Sequence, residues 1–295
     1  MVMTVILCVL IIIFFVALVG VLRSPDFIKR AWNFVAVSLD TLGDFGRFAT
    51  ATLAAPFGAN KMQGLRELMR QMYEMGTLSI PVVMITGGFI GAVLAVEAYP
   101  QFEAIGLAGR LGSVIIVSVV KQIGPVLTAV MLAGRVGGAM TAELGTMRVT
   151  EQIDALRAMA SDPVRTVAAP RVYACIIMMP VLTIFSDFVG AVGGWFVAVH
   201  ILGVPNHSFL LYASQGVDNY TICVGLIKSV FFGVAIACIG CYKGFNCGSG
   251  AKGVGQACTE SFVASFITIL VMNFFLAVML NDIYHLLWPM SASML

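Results

Sequence analysis

The sequence predicts an all-α membrane protein. Its parts are five transmembrane helices, an N-terminal interfacial or elbow helix, an apolar N-terminal segment sufficient for an extra transmembrane helix, and a charged helix on the cytoplasmic side. Three observations carry this reading. The chain is 60% hydrophobic and only 11% charged, with a mean hydropathy of +0.98. It holds several windows with one charge or none, each long enough to cross a bilayer, which takes about 20 apolar residues. Its Lys and Arg also fall in blocks (Arg23 to Arg70, Arg135 to Arg171, Lys243 and Lys252), while 201–220 and the residues after Asp282 have none. Cytoplasmic loops carry the Lys/Arg excess, so the blocks face the cytoplasm and the basic-free stretches face away.

Taken in order, residues 1–25 form an extra hydrophobic segment. Met1–Leu22 carries no charge, and it lacks the basic start and small-residue cleavage site of a signal peptide. With Arg23, Lys29 and Arg30 behind it, this segment would sit N-terminus out. Residues 26–75 mix charge with Trp32, Phe34, Phe45 and Phe48, the pattern of amphipathic helices lying along the inner leaflet. The transmembrane domain covers 76–281. Met75–Val96 and Ser261–Asn281 are uncharged, Leu111–Gly134 is interrupted only by Lys121, Val172–Ile201 by Asp187, and Thr221–Tyr242 by Lys228. The charge blocks orient these spans outward, inward, outward, inward and outward, with the first centred on 77–98. The tail 282–295 then lies on the periplasmic side.

One stretch departs from this character. "GTMRVTEQIDALRAMASDP" (Gly145–Pro163) carries Arg148, Glu151, Asp154, Arg157 and Asp162 between long apolar segments. Thr150 is expected to cap a helix whose early turns hold Glu151 and Asp154, where the helix dipole favours acids. Val149, Ile153, Leu156 and Ala160 recur at helical spacing and make one apolar face, and Pro163 is expected to end the element. This helix, about 145–162, reads either as a solvated loop helix or as a coupling helix that fits its ridge into a partner and carries the partner's motion into the membrane.

Little in the chain suggests catalysis. His200, His207 and His285 are scattered without ligand spacing, so no metal site is expected. Gly248-Ser-Gly250-Ala-Lys-Gly253 fits G-x-G-x-x-G but lacks the preceding strand that gives this motif meaning, and the chain contains no Gly-Lys dipeptide, which excludes a Walker A loop. If ATP drives this protein, another chain binds the ATP and magnesium; no cofactor is expected here. Cys238-Ile-Gly-Cys241 spells C-x-x-C within an apolar segment, where small-residue packing is the better reading. No nucleic-acid partner is expected.

Leu132–Pro163, "LAGRVGGAMTAELGTMRVTEQIDALRAMASDP", resembles the signature of the MlaE-type ABC permeases, which serve lipid transporters built around MCE-domain proteins. Tyr242–Val263 ("YKGFNCGSGAKGVGQACTESFV"), Pro170–Gly194 and Leu226–Gly233 ("LIKSVFFG") are similar to other parts of that family, and the likeness runs from about Asp26 to Asn281. It implies a homodimeric permease in the bacterial inner membrane, with five spans per chain. Two ABC ATPase subunits, often a STAS-domain regulator, and a hexamer of MCE proteins would complete the assembly. The substrate implied is phospholipid or a related lipid, moved between the inner membrane and the outer envelope.

On this reading Leu94, Tyr99, Phe102 and Ile105, at the outward end of the first span, line a lipid cavity that needs apolar walls and a few polar groups. Lys121 and Gln122 stand where family members commonly have Arg-Glu, and Lys121 is a candidate for a lipid phosphate or a backbone carbonyl. Glu143, Arg148, Glu151, Ile153, Asp154, Leu156 and Arg157 are the ATPase-coupling candidates, with Glu143 expected to pair with Arg135 or Arg148. Ionisable residues inside spans are costly and default to functional candidates; Asp187 and Lys228 are expected to pair with each other. The glycine pairs Gly87/Gly91, Gly134/Gly138 and Gly190/Gly194 are expected to pack helices closely. Two other readings compete: an ion-coupled secondary transporter relaying through Lys121, Asp187 and Lys228, and a scaffold that merely docks a partner.

Overall fold

The computed structural model describes residues 43–54 and 61–287, and its regular structure is all helix. The apolar segment 1–25, the interfacial stretch up to residue 42 and the tail from residue 288 lie outside the described residues. The chain divides into two units, Met1–Thr50 and Ala51–Leu295. In the first, residues 43–50 are helical, and Thr50 Oγ1 donates back to the Gly46 and Arg47 carbonyls at 2.9 and 3.0 Å.

In the second unit, α1 (Lys61–Met72) leads through a π-helical turn, Tyr73–Thr77, into α2 (Ile80–Ala104). There follow α3 (Leu111–Ser118), α4 (Gly124–Leu132) and α5 (Gly138–Val149), joined by π turns at Val119–Ile123 and Ala133–Gly137. Next come α6 (Gln152–Ala158), α7 (Ala169–Phe196), α8 (Asn206–Gly216), α9 (Asn219–Phe245) and α10 (Gly250–Leu287). Five helical runs are long and apolar enough to cross a membrane: Gly64–Ala104, Ala108–Val149, Val164–Ile201, Asn219–Phe245 and Gly250–Tyr284. These are the five spans expected from the sequence. The second run would measure about 63 Å at the helical rise, twice the hydrocarbon thickness of about 30 Å. Part of this run therefore projects beyond the hydrocarbon, and α5 carries α6 at its tip.

Lipid offers little hydrophobic drive between helices, so close approach through small residues must supply the packing. The third span, α7, uses this most. A Cβ on Gly91 would overlap the Gly190 carbonyl oxygen, one on Gly193 the Gly88 carbonyl oxygen, and one on Gly87 would sit 2.5 Å from the Ser186 carbonyl oxygen. Two of the three expected glycine pairs, Gly87/Gly91 and Gly190/Gly194, thus face each other across the first and third spans. Gly134/Gly138 differs. Gly138 has open space and Gly134 meets only the Phe262 ring at 3.4 Å.

The second and fourth spans interlock by a different device. Thr141 Oγ1 is buried and donates to the Gly137 and Gly240 carbonyls at 2.8 and 3.0 Å, while Gly244 leaves room for Leu144. Cys238 and Cys241 are buried and free, so the C-x-x-C pair packs. The fifth span is tied at its ends. Lys243 of α9 bonds Glu260 at 2.7 Å, and the Tyr220 hydroxyl donates to the Leu280 carbonyl. Between these ties α10 turns Phe266, Leu270, Phe274 and Phe275 outward, the last two 64% and 65% exposed.

Candidate functional site

The second span widens where its polar residues occur. A π turn inserts one residue into the helix and frees backbone groups from the regular ladder, and such turns gather at functional sites. The turn Val119–Ile123 holds Lys121 and Gln122. Lys228 of α9 reaches this turn from across the interface. It is 1% exposed, and its Nζ donates to the Lys121 carbonyl at 3.3 Å and to Gln122 Oε1. Both acceptors are neutral, so Lys228 has no carboxylate partner among the described residues. A cavity of about 430 Å³ opens beside these groups. Lys121, Gln122 and Lys228 form one polar wall, Asn281 and Asp282 line it from the end of α10, and Phe274, Val278 and Leu280 of α10 form its apolar wall. Such a chamber accepts a molecule with an anionic group at one end and hydrocarbon at the other.

Asp187 does not pair with Lys228, contrary to the sequence expectation. It packs against the α4 start, where a Cβ on Gly124 would overlap its Oδ1, and that oxygen is buried without a hydrogen-bond partner. Lys228 takes its acceptors from the π turn because that turn presents a freed carbonyl and an amide in its reach.

The six lipid-binding candidates do not come together. Lys121 and Gln122 line the cavity, whereas Leu94, Tyr99 and Phe102 pack at the outward end on a core cluster that includes Leu111, Ile115 and Phe209. The Tyr99 hydroxyl bonds Glu103 at 3.1 Å, and Ile105 is 64% exposed. Lys228 and the α10 wall are what the sequence reading missed as cavity lining. Lys228 was singled out as intramembrane and polar, but only the fold shows that it shares a chamber with Lys121.

At the cytoplasmic end the charged stretch is not one continuous helix. Residues 145–149 complete α5, and Thr150 is no cap: its Oγ1 returns to the Thr146 carbonyl at 2.8 Å. The break comes at Glu151, whose φ of 60° is left-handed, and α6 then runs from Gln152 to Ala158. Nor does Pro163 end it. Ala160 adopts φ 55°, its N–H bonds the Arg157 carbonyl at 3.0 Å, and Ser161 N–H bonds Leu156 at 3.0 Å. This is the Schellman arrangement that closes a helix through a left-handed residue. Asp162 and Pro163 open the third span instead, with Asp162 Oδ1 accepting from Val164 N–H at 3.0 Å.

The coupling candidates take distinct places on this lever. Ile153 is fully buried within the chain and Leu156 is half-buried, whereas Val149 and Met159 are exposed at 39% and 70%. The apolar side chains open to another protein at the two ends of this segment are therefore Val149 and Met159 rather than Ile153, and Met159 was not among the sequence candidates. Asp154 and Arg157 pair with each other at 3.1 Å on the exposed face, with Glu151 exposed and Arg148 half-buried nearby. Glu143 pairs with neither Arg135 nor Arg148. Its Oε2 meets Arg171 Nη2 of α7 at 2.9 Å, and Arg171, itself buried, also donates to the Val167 carbonyl at 3.0 Å. The pair closes the loop between the second and third spans at its base. Sequence separation of 28 residues hides this partner, since only the antiparallel return of α7 brings it near.

The glycine-rich turn after α9 supports the base of the lever. A Cβ on Gly145 would lie 3.2 Å from Val254 and 3.3 Å from Cys247 Sγ, so the two sequence motifs meet here. Gly248 and Gly253 pack against each other between two helices, which is a packing turn and not a phosphate loop. Among the described residues no three His, Cys, Asp or Glu side chains converge to hold a metal ion.

Comparison with known proteins now bears on this geometry. Residues 68–279 match the family described as Permease MlaE. The chain is 39% identical over 213 residues to a probable ABC transporter permease protein of Rickettsia typhi, covering 72% of this chain and 82% of that protein. It is 41% identical over 212 residues to a probable ABC transporter permease protein of a Synechocystis strain, covering 72% and 81%. It is 39% identical over 210 residues to the intermembrane phospholipid transport system permease protein MlaE of Haemophilus influenzae, covering 71% and 80%.

Proposed function

The chain belongs to the MlaE permease family of multi-pass inner membrane proteins, and on that premise we propose that it moves phospholipid between the inner membrane and the outer envelope, driven by ATP that a separate ABC ATPase subunit hydrolyses. The observation that carries the lipid assignment is the chamber beside the Val119–Ile123 turn. It offers the buried Lys228, the Lys121 side chain at the same wall, and an aromatic and aliphatic wall from α10, with Asn281 and Asp282 also in the lining. A lipid phosphate suits the first two and acyl chains the third.

Force enters at the tip formed by the end of α5 and by α6. The exposed Val149 and Met159, which flank α6, dock the ATPase, Glu143–Arg171 transmits its displacement to the third span, and the Gly145–Val254 contact transmits it to the fifth. A second copy of the chain completes the chamber, an MCE-domain hexamer receives or delivers the lipid on the periplasmic side, and a STAS-domain protein regulates the ATPase. The ion-relay alternative has no structural support, because Asp187 and Lys228 do not meet.

The test is purification in mild detergent followed by reconstitution. An ATPase and an MCE protein co-purify, phospholipid is retained, and lipid moves only when ATP is hydrolysed. Lipid movement by this subunit alone, with no nucleotide-hydrolysing partner, overturns the proposal.

A further inference from the structure

A second cavity, of about 320 Å³, lies between the Tyr73–Thr77 turn and the second span. Its charged lining is Glu74, Arg135 and Glu143, and its apolar lining includes Met75, Leu78 and Met140. Its depth follows from two independent spans. The uncharged stretch Met75–Val96 measures about 33 Å along a helix axis, close to the hydrocarbon thickness, so Glu74 marks the inner headgroup level. Arg110, stacked over Tyr212 at 5.5 Å, marks the outer end of the second span, and Arg135 lies about 37 Å further along, at the same inner level as Glu74.

The hydrogen-bonding capacity at this site is only partly used. Glu74 commits Oε1 to Arg70 at 3.0 Å, and Glu143 commits Oε2 to Arg171 at 2.9 Å, which leaves one oxygen of each. Arg135 has no hydrogen-bond or ion-pair partner among the described residues, although it stands in a π turn of a membrane-spanning run. Arg135 is exposed and lines this cavity, so at the headgroup level its guanidinium is available to an anion. Guanidinium is also the side chain best matched to phosphate.

We infer that this cavity binds the headgroup of an inner-leaflet phospholipid carrying a phosphate next to a primary amine, the phosphoethanolamine class. Arg135 takes the phosphate, the free oxygens of Glu74 and Glu143 take the ammonium, and Met75, Leu78 and Met140 cover the glycerol and first methylenes. A quaternary amine cannot donate hydrogen bonds to the two carboxylates, so phosphocholine fits poorly. The site is distinct from the Lys228 chamber and borders the Glu143–Arg171 pair, which places lipid binding beside the lever. The inference rests on the phospholipid-permease reading.

The test uses the full chain with its co-purified partners, reconstituted in phosphatidylcholine vesicles containing a phosphatidylethanolamine with a diazirine at the top of one acyl chain. Irradiation should label peptides spanning Tyr73–Leu78 and Ala139–Glu143, and separately those lining the α9–α10 chamber. Arg135→Gln should lower the first labelling about tenfold, the loss of one charge-assisted hydrogen bond, and leave the second unchanged. Arg135→Lys should retain most of it. Glu74→Gln should lower labelling by the ethanolamine probe but not the weak labelling by the matching choline probe.

Unchanged labelling in both Arg135→Gln and Glu74→Gln overturns the inference. So does abolition of the label by excess soluble glycerophosphoethanolamine, which assigns the site to a free ester, or crosslinking of this face to a second copy without lipid. In the unsubstituted protein, absence of label from this cavity alone defeats the headgroup site, whereas absence from both cavities defeats the permease reading with it.

Discussion

Lys228 sets a cost against a use. Its ammonium is buried and meets only neutral oxygens, and a buried charge without a counter-ion destabilises its host. Lys228→Met should therefore melt at or above the native temperature in detergent, while phospholipid retained through purification falls about tenfold. Lower stability together with normal lipid content would show that the charge is structural. Arg171 behaves otherwise. Its partner Glu143 is half in water, so Glu143→Gln should cost only about 0.5–1 kcal/mol in thermal unfolding, yet lower the lipid moved per ATP hydrolysed. Sequence reading picked out Lys121, Glu143 and Lys228 because charge is rare in apolar runs. It assigned the partners of Glu143 and Lys228 wrongly, because partners across a helix bundle are fixed by rotation and register, which composition does not encode.

Among the elements, α6 ends where no local rule announces it. Pro163 is a strong stop signal in sequence, but the left-handed residue that closes the helix is Ala160, a position usually given to glycine. Ala160→Gly should raise stability by about 1 kcal/mol, the strain an L residue bears there, whereas Ala160→Val should lower it by at least as much. Both follow from melting of the purified protein. The glycine repeats were legible as packing signals, and two of the three proved to be one contact. Gly91→Ala forces a methyl onto the Gly190 carbonyl and should cost about 1–3 kcal/mol, with loss of folded protein in the membrane as the readout.

Across the whole molecule, the five spans could be read because bilayer thickness imposes length and polarity on each one. The outward chamber could not. Leu94, Tyr99 and Phe102 have the right chemistry at the right depth, but they are partly buried against a core cluster, and no periodicity distinguishes a wall from a core contact. The outer surface of the lever is likewise a product of folding, since α6 turns Ile153 inward and leaves Met159 outside. Charged replacements at Val149 and Met159 together should abolish co-purification of the ATPase while leaving lipid retention intact.

The fifth helix is tied by Lys243–Glu260 toward one end and by the Tyr220 hydroxyl on Leu280 toward the other, and between them Ser265, Ile269 and Leu276 are buried while Phe274 and Phe275 face outward. A rod held along one side and tied near both ends bends more readily than it swings. The volume beside Lys228 would then change by flexure near Phe274, and shortening either fastening would stiffen the stroke without touching the cargo.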